Sequence, residues 1–209
     1  MITDRLTLAQ LLSPAMPIGS YAYSQGLEQA MTDGTVTSAQ TLANWVAAIL
    51  QHGPARTDAI LLAHARHGDI QHLTDLAYAY AASAERATEM RDQGAAFTQV
   101  LQTLTGQPQP ALPYAIALGR ATSSLDLPTP EILALYLQSL AAQLISAAVR
   151  FIPLGAAEGQ KTLAQLAPLI AQTAADCATA PLSVLASSTI GADIAAMRHE
   201  TLAVRIFRT

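Results

Sequence analysis

The sequence SPAMPIGSYAYSQGLE, from Ser13 to Glu28, is the stretch around which we organise the chain. Its two prolines exclude a helix at its beginning, because proline lacks the amide N–H that a helix needs and restricts the residue before it. Gly19 permits a sharp turn, and Ser20 can cap the next helix. We therefore predict a stiff apolar arm, followed by a short helix over residues 21–31 that carries two tyrosines, a glutamine and a carboxylate.

The rest of the chain has the pattern of helices. Apolar residues recur at helical spacing, for example over residues 42–50, and no segment shows the sustained alternation typical of half-buried strands. Alanine is abundant, and neither a repeat nor a break in composition divides the chain. We predict an all-α, single-domain bundle of about eight to ten helices over residues 1–209. Residues 1–12 and 202–209 are predicted to be flexible termini that dock onto partners.

Capping residues indicate where several helices begin. Asp69 and Ser83 are predicted N-caps, and Thr37-x-x-Gln40 resembles a capping box. Thr129 is predicted to cap a long helix with Pro130 in its first turn.

The helix that begins near Ser83 has one polar side. Its charges have the spacing of intrahelical pairs, so the pattern favours a solvated face, with an arginine-bearing interaction face as the alternative. The residues on this side are Glu85, Arg86, Glu89, Arg91 and Asp92.

Composition narrows the classes of function. Hydrophobic residues make up 51% of the chain and charged residues only 12%, about half of the roughly 25% that is typical of soluble domains. The net charge of −4 disfavours a broad nucleic-acid surface. Among the basic residues Lys161 is the single lysine, and arginine is the better residue at desolvated interfaces. The chain is therefore expected to bury surface in partner proteins or to contact a membrane.

The uncharged run from Ile132 to Val149 is long enough to cross a membrane. Gln138 and Gln143 interrupt it, however, and amides are costly in lipid. We therefore favour a buried core or interface helix. The single cysteine, Cys177, excludes an intrachain disulfide framework, and the first residues lack the layout of a signal peptide, so we expect a cytoplasmic protein.

No phosphate-binding loop or zincin motif is present in the sequence. His64, His67 and His72 form a candidate metal cluster, but a glycine separates the last of them, and surface histidines near a helix end are the favoured interpretation. Cys177 has no neighbouring cation that would activate its thiol, so it is predicted to be a core residue. Arg198-His199-Glu200 is a candidate catalytic set for a small enzyme, although no nucleophile accompanies it.

The last positions alternate apolar residues with arginines, from Ala203 to Arg208. A disordered tail is rarely this apolar, so we predict that this segment docks onto a partner. For Tyr21 and Tyr23, a place in the core and a place in an interface are equally favoured.

Four motifs in order resemble the UreF family of urease accessory proteins, over nearly the full length. The first two are the Ser13–Glu28 stretch and the Glu/Arg-rich helix over 85–94. The third is Arg150-Phe151-Ile152-Pro153-Leu154-Gly155, followed by Gly159-Gln160, and the fourth is Met197-Arg198-His199-Glu200-Thr201, which closes on Arg205-Ile206-Phe207-Arg208. Ala156 and Ala203-Val204 depart from the family pattern, so local contacts at these two places are expected to differ from those of the family.

The resemblance implies an all-α homodimer without catalytic activity or a cofactor of its own. It implies binding to the UreD/UreH accessory protein, recruitment of the GTPase UreG and delivery of nickel to apo-urease, with a C-terminal segment that orders when UreD/UreH binds. Nickel and GTP are then handled by the complex, and a nickel-binding protein that uses His64, His67 and His72 is the alternative. The residues expected to bind partners are Tyr21, Tyr23, Gln25, Glu28, Glu85, Arg86, Arg91, Arg198, His199, Glu200, Arg205, Phe207 and Arg208.

Overall fold

The computed structural model describes residues 2–209, and within that range every regular element is a helix. The all-α prediction is therefore confirmed. Two 3₁₀ turns, Ser20–Ala22 and Leu182–Val184, accompany ten α-helices in this part of the chain. The α-helices are α1 (Ile2–Leu11), α2 (Leu27–Thr32), α3 (Ala39–His52), α4 (Pro54–Ala65), α5 (Ile70–Ala79), α6 (Ala84–Thr105), α7 (Tyr114–Ala121), α8 (Thr129–Phe151), α9 (Ala156–Ala178) and α10 (Ile190–His199).

Helix α8 forms the centre of the bundle. It packs against α9 along most of its length and also contacts α2, α3 and α4. Among residues 2–209 it is the one helix long and apolar enough to cross a membrane, and 56% of its most apolar window is buried inside the protein. Leu137, Ala141 and Leu144 are fully buried on its inner side. This burial is typical of a core helix.

Two of the predicted helix caps are confirmed. The Asp69 carboxylate accepts from the backbone N–H of Gln71 and of His72, and the Ser83 hydroxyl accepts from that of Arg86. The capping box predicted at Thr37–Gln40 lies one residue later in the chain, where the hydroxyls of Ser38 and Thr41 form it. Pro128, which has no side-chain acceptor, stands where Thr129 was predicted to cap, and Thr129 is the first residue of α8.

The predicted helix over residues 21–31 is wrong in its first half. A 3₁₀ turn ends at Ala22, and α2 begins only at Leu27. Gln25 has a φ of 54° and Gly26 a φ of 79°, so two consecutive left-handed residues interrupt the helix. A Cβ atom on Gly26 would lie 2.6 Å from the backbone nitrogen of Ala196, so glycine also permits the close approach of α2 and α10.

Cys177 lies in the core, as predicted. It is buried on α9 among the apolar side chains of the central cluster. Burial raises the pKa of its thiol to about 11, although the charge of Arg56 acts in the opposite direction. The thiol is therefore protonated at neutral pH, as suits a packing residue.

Candidate functional site

The segment after α10, residues 200–209, folds back onto the loop that precedes α2; we call it the C-terminal tail. The Arg208 backbone N–H donates to the Ala22 carbonyl over 2.7 Å, and the Ser24 N–H donates to the Thr209 carbonyl over 2.8 Å. The Ser24 hydroxyl donates to the same carbonyl. The two most informative sequence stretches, the front and the tail, are thus brought together.

A buried imidazole joins the tail to α2 and α6. The Nε2 atom of His199 lies 2.9 Å from Oε2 of Glu28, and its Nδ1 atom lies 2.7 Å from Oε2 of Glu85. The other oxygen of Glu85 accepts from the guanidinium of Arg205 over 2.8 Å. We call these four residues, Glu28, Glu85, His199 and Arg205, the His199 cluster.

The ring of His199 faces a carboxylate at each nitrogen. A neutral imidazole has one N–H and can donate only one of these two bonds. The two contacts together therefore need two donors, of which a neutral ring supplies one.

Glu28 also holds the backbone of the tail. Its Oε1 atom accepts from the N–H of Ile206 over 2.7 Å, and its Oε2 atom accepts from the N–H of Phe207 over 2.9 Å. Bonds to a buried carboxylate are stronger than bonds between neutral groups. One side chain on α2 thus fixes both the imidazole at the end of α10 and the course of the chain beyond it.

Two arginines stack on aromatic rings beside these bonds. The guanidinium of Arg150 lies 4.7 Å from the ring centre of Phe207, and that of Arg208 lies 5.9 Å from the ring centre of Tyr23. Arg150 also donates to the Tyr21 carbonyl over 2.8 Å. Phe207 is buried, and burial raises the pKa of Tyr23, with Arg208 acting in the opposite direction. Tyr23 therefore packs inward, whereas Tyr21 is 71% exposed.

Gln25 connects the tail to a second buried network. Its backbone N–H donates to the Thr209 hydroxyl over 3.3 Å, while its side-chain amide donates to Glu89 over 3.0 Å. The second network, which we call the Arg86 network, contains the ion pairs of Arg86 with Glu89 at 2.8 Å and with Asp58, and the bond from the Tyr136 hydroxyl to Asp58 at 2.9 Å.

The charges of the Arg86 network stabilise one another. Burial opposes the charge of Arg86, but the attraction of Asp58 and Glu89 outweighs it and raises the pKa of the guanidinium. Burial, reinforced by the Asp58 carboxylate, raises the pKa of Tyr136 well above its ordinary value. The phenol therefore stays protonated and donates to Asp58. The network lies in a groove of about 610 Å³ between α8 and the front of the chain.

The solvated face predicted for α6 is wrong for part of that helix. Glu89 is buried and Arg86 is largely buried, because Asp58 on α4 and Gln25 supply partners that lie far away in sequence. Arg91 and Asp92, farther along the helix, do form an exposed pair at 3.0 Å. Spacing within one helix could not distinguish these residues.

Three of the predicted partner-binding residues take no part in the two networks or in the contacts that join the tail to the front of the chain. Arg91 points to solvent, and Arg198 makes an exposed pair with Asp33 at 3.8 Å. Glu200 accepts from the backbone N–H of Ala84 over 2.8 Å, so it helps to cap α6. The residues that the structure does bring together are Tyr21, Tyr23, Gln25, Glu28, Glu85, Arg86, His199, Arg205, Phe207 and Arg208.

The sequence did not indicate several residues that form bonds in these networks. Asp58, Tyr136 and Arg150 were not among the predicted site residues, and Ser24 was noted only as part of its motif. The signal for Asp58 was a carboxylate directly before the apolar run of residues 59–63. Such a buried acid needs a cation, and the sequence does not say which.

The candidate histidine cluster does not form. No group of three or more His, Cys, Asp or Glu side chains within residues 2–209 has an arrangement that could hold a metal ion. The Nε2 atom of His64 lies 2.9 Å from the Ala180 carbonyl, while His67 and His72 are exposed. His199 of the candidate catalytic set is buried between two carboxylates, where no substrate can reach it in this conformation.

Exposed apolar side chains cover the outer side of α10 and the tail. Ile190, Ile194 and Met197 follow one another at helical spacing and are exposed, and Val204 and Ile206 are 82% and 64% exposed. Neighbouring apolar side chains at a surface are typical of interaction sites. The backbone N–H of Ile206, one residue of this surface, donates to Glu28 of the His199 cluster.

Comparisons with known proteins agree with the motifs. The UreF family model matches residues 36–167. The chain is 54% identical over 205 residues to a urease accessory protein UreF of Cereibacter sphaeroides, covering 98% of each chain. Proteins of the same name from Paracoccus denitrificans and Dinoroseobacter shibae are 53% and 46% identical, over 98% and 100% of this chain and 96% and 100% of theirs.

Proposed function

Because this chain belongs to the UreF family of urease accessory proteins, we propose that it is a non-catalytic scaffold of urease maturation. In this proposal it binds the accessory protein UreD/UreH, recruits the GTPase UreG and so supports nickel insertion into apo-urease. It acts in the cytoplasm as a homodimer. It has no cofactor of its own, since nickel and GTP are handled by the complex.

The observation that carries the proposal is the exposed apolar surface on α10 and the tail. Val204 and Ile206 project from a segment whose backbone is held by Glu28. Apolar anchors on a preorganised backbone bind with less loss of conformational entropy than the same residues on a free chain. We propose that this surface docks onto UreD/UreH.

The His199 cluster has a positioning role in this proposal. Glu28 and His199 are buried, so they act on the partner through the tail and not by direct contact. Arg205 is partly exposed, and together with the exposed Arg198 it provides charge at the edge of the surface. Charges at the rim of an interface guide association more than they add affinity.

Binding of UreD/UreH tests the proposal. A chain with Val204→Ser and Ile206→Ser should bind purified UreD/UreH at least about tenfold more weakly by calorimetry, because two apolar anchors are lost. A control with Leu104→Ser and Val184→Ser removes two exposed apolar side chains elsewhere and should bind normally.

Two outcomes with the same pair of variants would contradict the proposal. Undiminished binding by the tail variant would contradict a role of the tail, and equal losses in both variants would indicate nonspecific adhesion. A truncation before Arg198 is a blunter test, because it leaves Glu28 without the His199 ring and the tail N–H groups.

A further inference from the structure

The two carboxyl groups of the His199 cluster are surrounded by hydrogen-bond donors. Both oxygens of Glu28 accept from backbone N–H groups of the tail, over 2.7 and 2.9 Å. Oε1 of Glu85 accepts from the guanidinium of Arg205 over 2.8 Å, and Oε2 faces the imidazole. A proton on either carboxyl would have to point from an oxygen that already faces a donor or the ring. Neither carboxyl therefore has room to act as a donor itself.

The ring of His199 has to supply the donors of both contacts. Its Nε2 atom lies 2.9 Å from Glu28 and its Nδ1 atom 2.7 Å from Glu85, and the side chain is fully buried. A neutral ring directs a lone pair at one of these oxygens, and turning the ring over only exchanges the two nitrogens. An N–H at that nitrogen would instead donate a charge-assisted hydrogen bond. The geometry therefore favours a ring with a proton on each nitrogen.

The other charged groups on the elements packed around the ring have partners of their own. Arg205 in the tail donates to Glu85 and not to the ring. The remaining groups pair as Asp33 with Arg198, Arg86 with Glu89, Arg91 with Asp92, Asp193 with Ser187, Glu200 with the Ala84 N–H, and Arg208 with Tyr23. The second proton of the ring is thus the donor that completes the cluster.

We propose that His199 is an imidazolium cation when the tail is packed onto α2 and α6, and that packing of the tail therefore depends on pH. The ring takes up a proton from solvent as it comes between Glu28 and Glu85, and it releases that proton when they separate. An exposed histidine is mostly neutral above about pH 6.5. Since the packed state then binds more protons than the open state, packing of the tail weakens as pH rises above this value.

This dependence regulates the surface that is proposed to dock onto UreD/UreH, and in that respect it rests on the proposed function. Val204 and Ile206 project from a backbone that Glu28 holds in place. On an open tail the same side chains belong to a mobile segment, which loses more conformational entropy on binding. Docking onto UreD/UreH should therefore weaken as pH rises.

The protonation state of the ring tests the proposal on the unaltered chain without any partner. Nitrogen-15 NMR at about pH 7.5 should show a proton on both ring nitrogens of His199. His67 and His72, which are exposed in the same chain, are internal controls, and each should have one nitrogen without a proton at about this pH. A neutral ring at His199 under these conditions would overturn the proposal.

Hydrogen exchange tests the energetic consequence. Protection of the Ile206 and Phe207 N–H groups, corrected for the exchange rate of a free peptide, should fall at least about fivefold between about pH 7 and 8.5. Glu85→Gln replaces the carboxylate at Nδ1 by an amide, whose nitrogen can donate to an unprotonated ring nitrogen. This variant needs no second proton, so its protection should change by less than about twofold.

Glu158→Gln, at an exposed position of α9, is the matched control and should keep the full dependence on pH. Equal protection of the unaltered chain at the two pH values would overturn the proposal. So would a Glu85→Gln variant that is as sensitive to pH as the unaltered chain. If Glu85→Gln does not fold, the NMR measurement on the unaltered chain decides.

Binding of purified UreD/UreH at the same two pH values tests the regulation. The unaltered chain and Glu158→Gln should bind at least about fivefold more weakly at the higher pH, and Glu85→Gln less than about twofold more weakly. The same dependence in all three chains would place the effect in UreD/UreH and overturn the regulation. Failure of the unaltered chain to bind at either pH would instead contradict the proposed function, and the two measurements without a partner would still decide on the ring.

Discussion

The carboxylate of Glu28 and the imidazole of His199 lie 2.9 Å apart although 171 positions separate them in sequence. Both side chains are buried in this conformation. Removing one partner of a buried, hydrogen-bonded pair costs more than the pair itself contributes, because the remaining charge stays in a medium of low dielectric constant. Loss of either side chain is therefore expected to destabilise the packing of the whole tail.

We expect His199→Ala to lower the free energy of unfolding by about 3–5 kcal/mol, measured by urea denaturation. The variant leaves Glu28 with only the two tail N–H groups and deprives Glu85 of its buried donor. Hydrogen exchange at Ile206 and Phe207 should also become faster, since the tail is held less firmly. Arg198→Ala, next in sequence but exposed, is the control and should change stability by less than about 1 kcal/mol. Similar losses in the two variants would contradict the assigned role.

Gly26→Ala should be much more destabilising than Gly34→Ala. Both glycines have a left-handed φ, 79° and 74°, so each substitution costs about 1–2 kcal/mol of backbone strain. Only at Gly26 would the new Cβ atom also meet a backbone, at 2.6 Å from the nitrogen of Ala196, whereas nothing lies within 4 Å at Gly34. Thermal unfolding should show a loss at Gly26 at least about twice that at Gly34. Equal losses would mean that α2 and α10 separate easily.

Arg86→Met should destabilise the protein by about 3–5 kcal/mol, because Asp58 and Glu89 lose the cation that both share. Arg91→Met, on the same helix, removes an exposed arginine whose pair with Asp92 is open to water. Its effect should stay within about 1 kcal/mol. Urea denaturation of the two variants side by side measures the difference. An Arg86 variant as stable as the Arg91 variant would show that the network is hydrated and energetically weak.

Cys177 should be nearly inert in the folded protein. With a pKa of about 11, roughly one thiol in a thousand is ionised at pH 8, and the side chain is buried as well. Alkylation of Cys177 by iodoacetamide is followed by mass spectrometry, in buffer and in about 8 M urea, which unfolds the chain. The reaction should be at least about a hundredfold slower in buffer. Because burial raises the pKa of the folded thiol to about 11, the stability that Cys177 contributes is lost as pH rises from about 9 towards 11. Rapid modification of the folded chain would show that α9 opens locally.

The fold class was predictable because it depends on patterns within single segments. Periodic apolar residues and caps such as Asp69 and Ser83 locate helices without any knowledge of their neighbours. The failure over residues 21–31 has a local cause. Gly26 was visible as a residue that permits a left-handed conformation, but Gln25 adopts one as well, and nothing in its own chemistry predicts that.

The candidate site was predictable in its members more than in its geometry. Glu28, Glu85 and His199 were selected as residues that bind partners, and the structure places them against one another. Whether a charged residue faces solvent or a buried counter-charge depends on contacts across the whole chain. Arg86 illustrates this, because its partner Asp58 lies on another helix, 28 positions away.

The pairing of the loop before α2 with the tail bears on how the protein is made. Ser24 and Thr209 are 185 positions apart, so during synthesis the front of the chain leaves the ribosome long before its bonding partners exist. Until then Glu28 and the Ser24–Gln25 backbone have only water or another protein to bond with. Contacts of such long range close late, after a costly loop entropy has been overcome. The nascent protein therefore has an interval in which its front segment is open to chaperones, or to pairing with the tail of another copy in a swapped dimer.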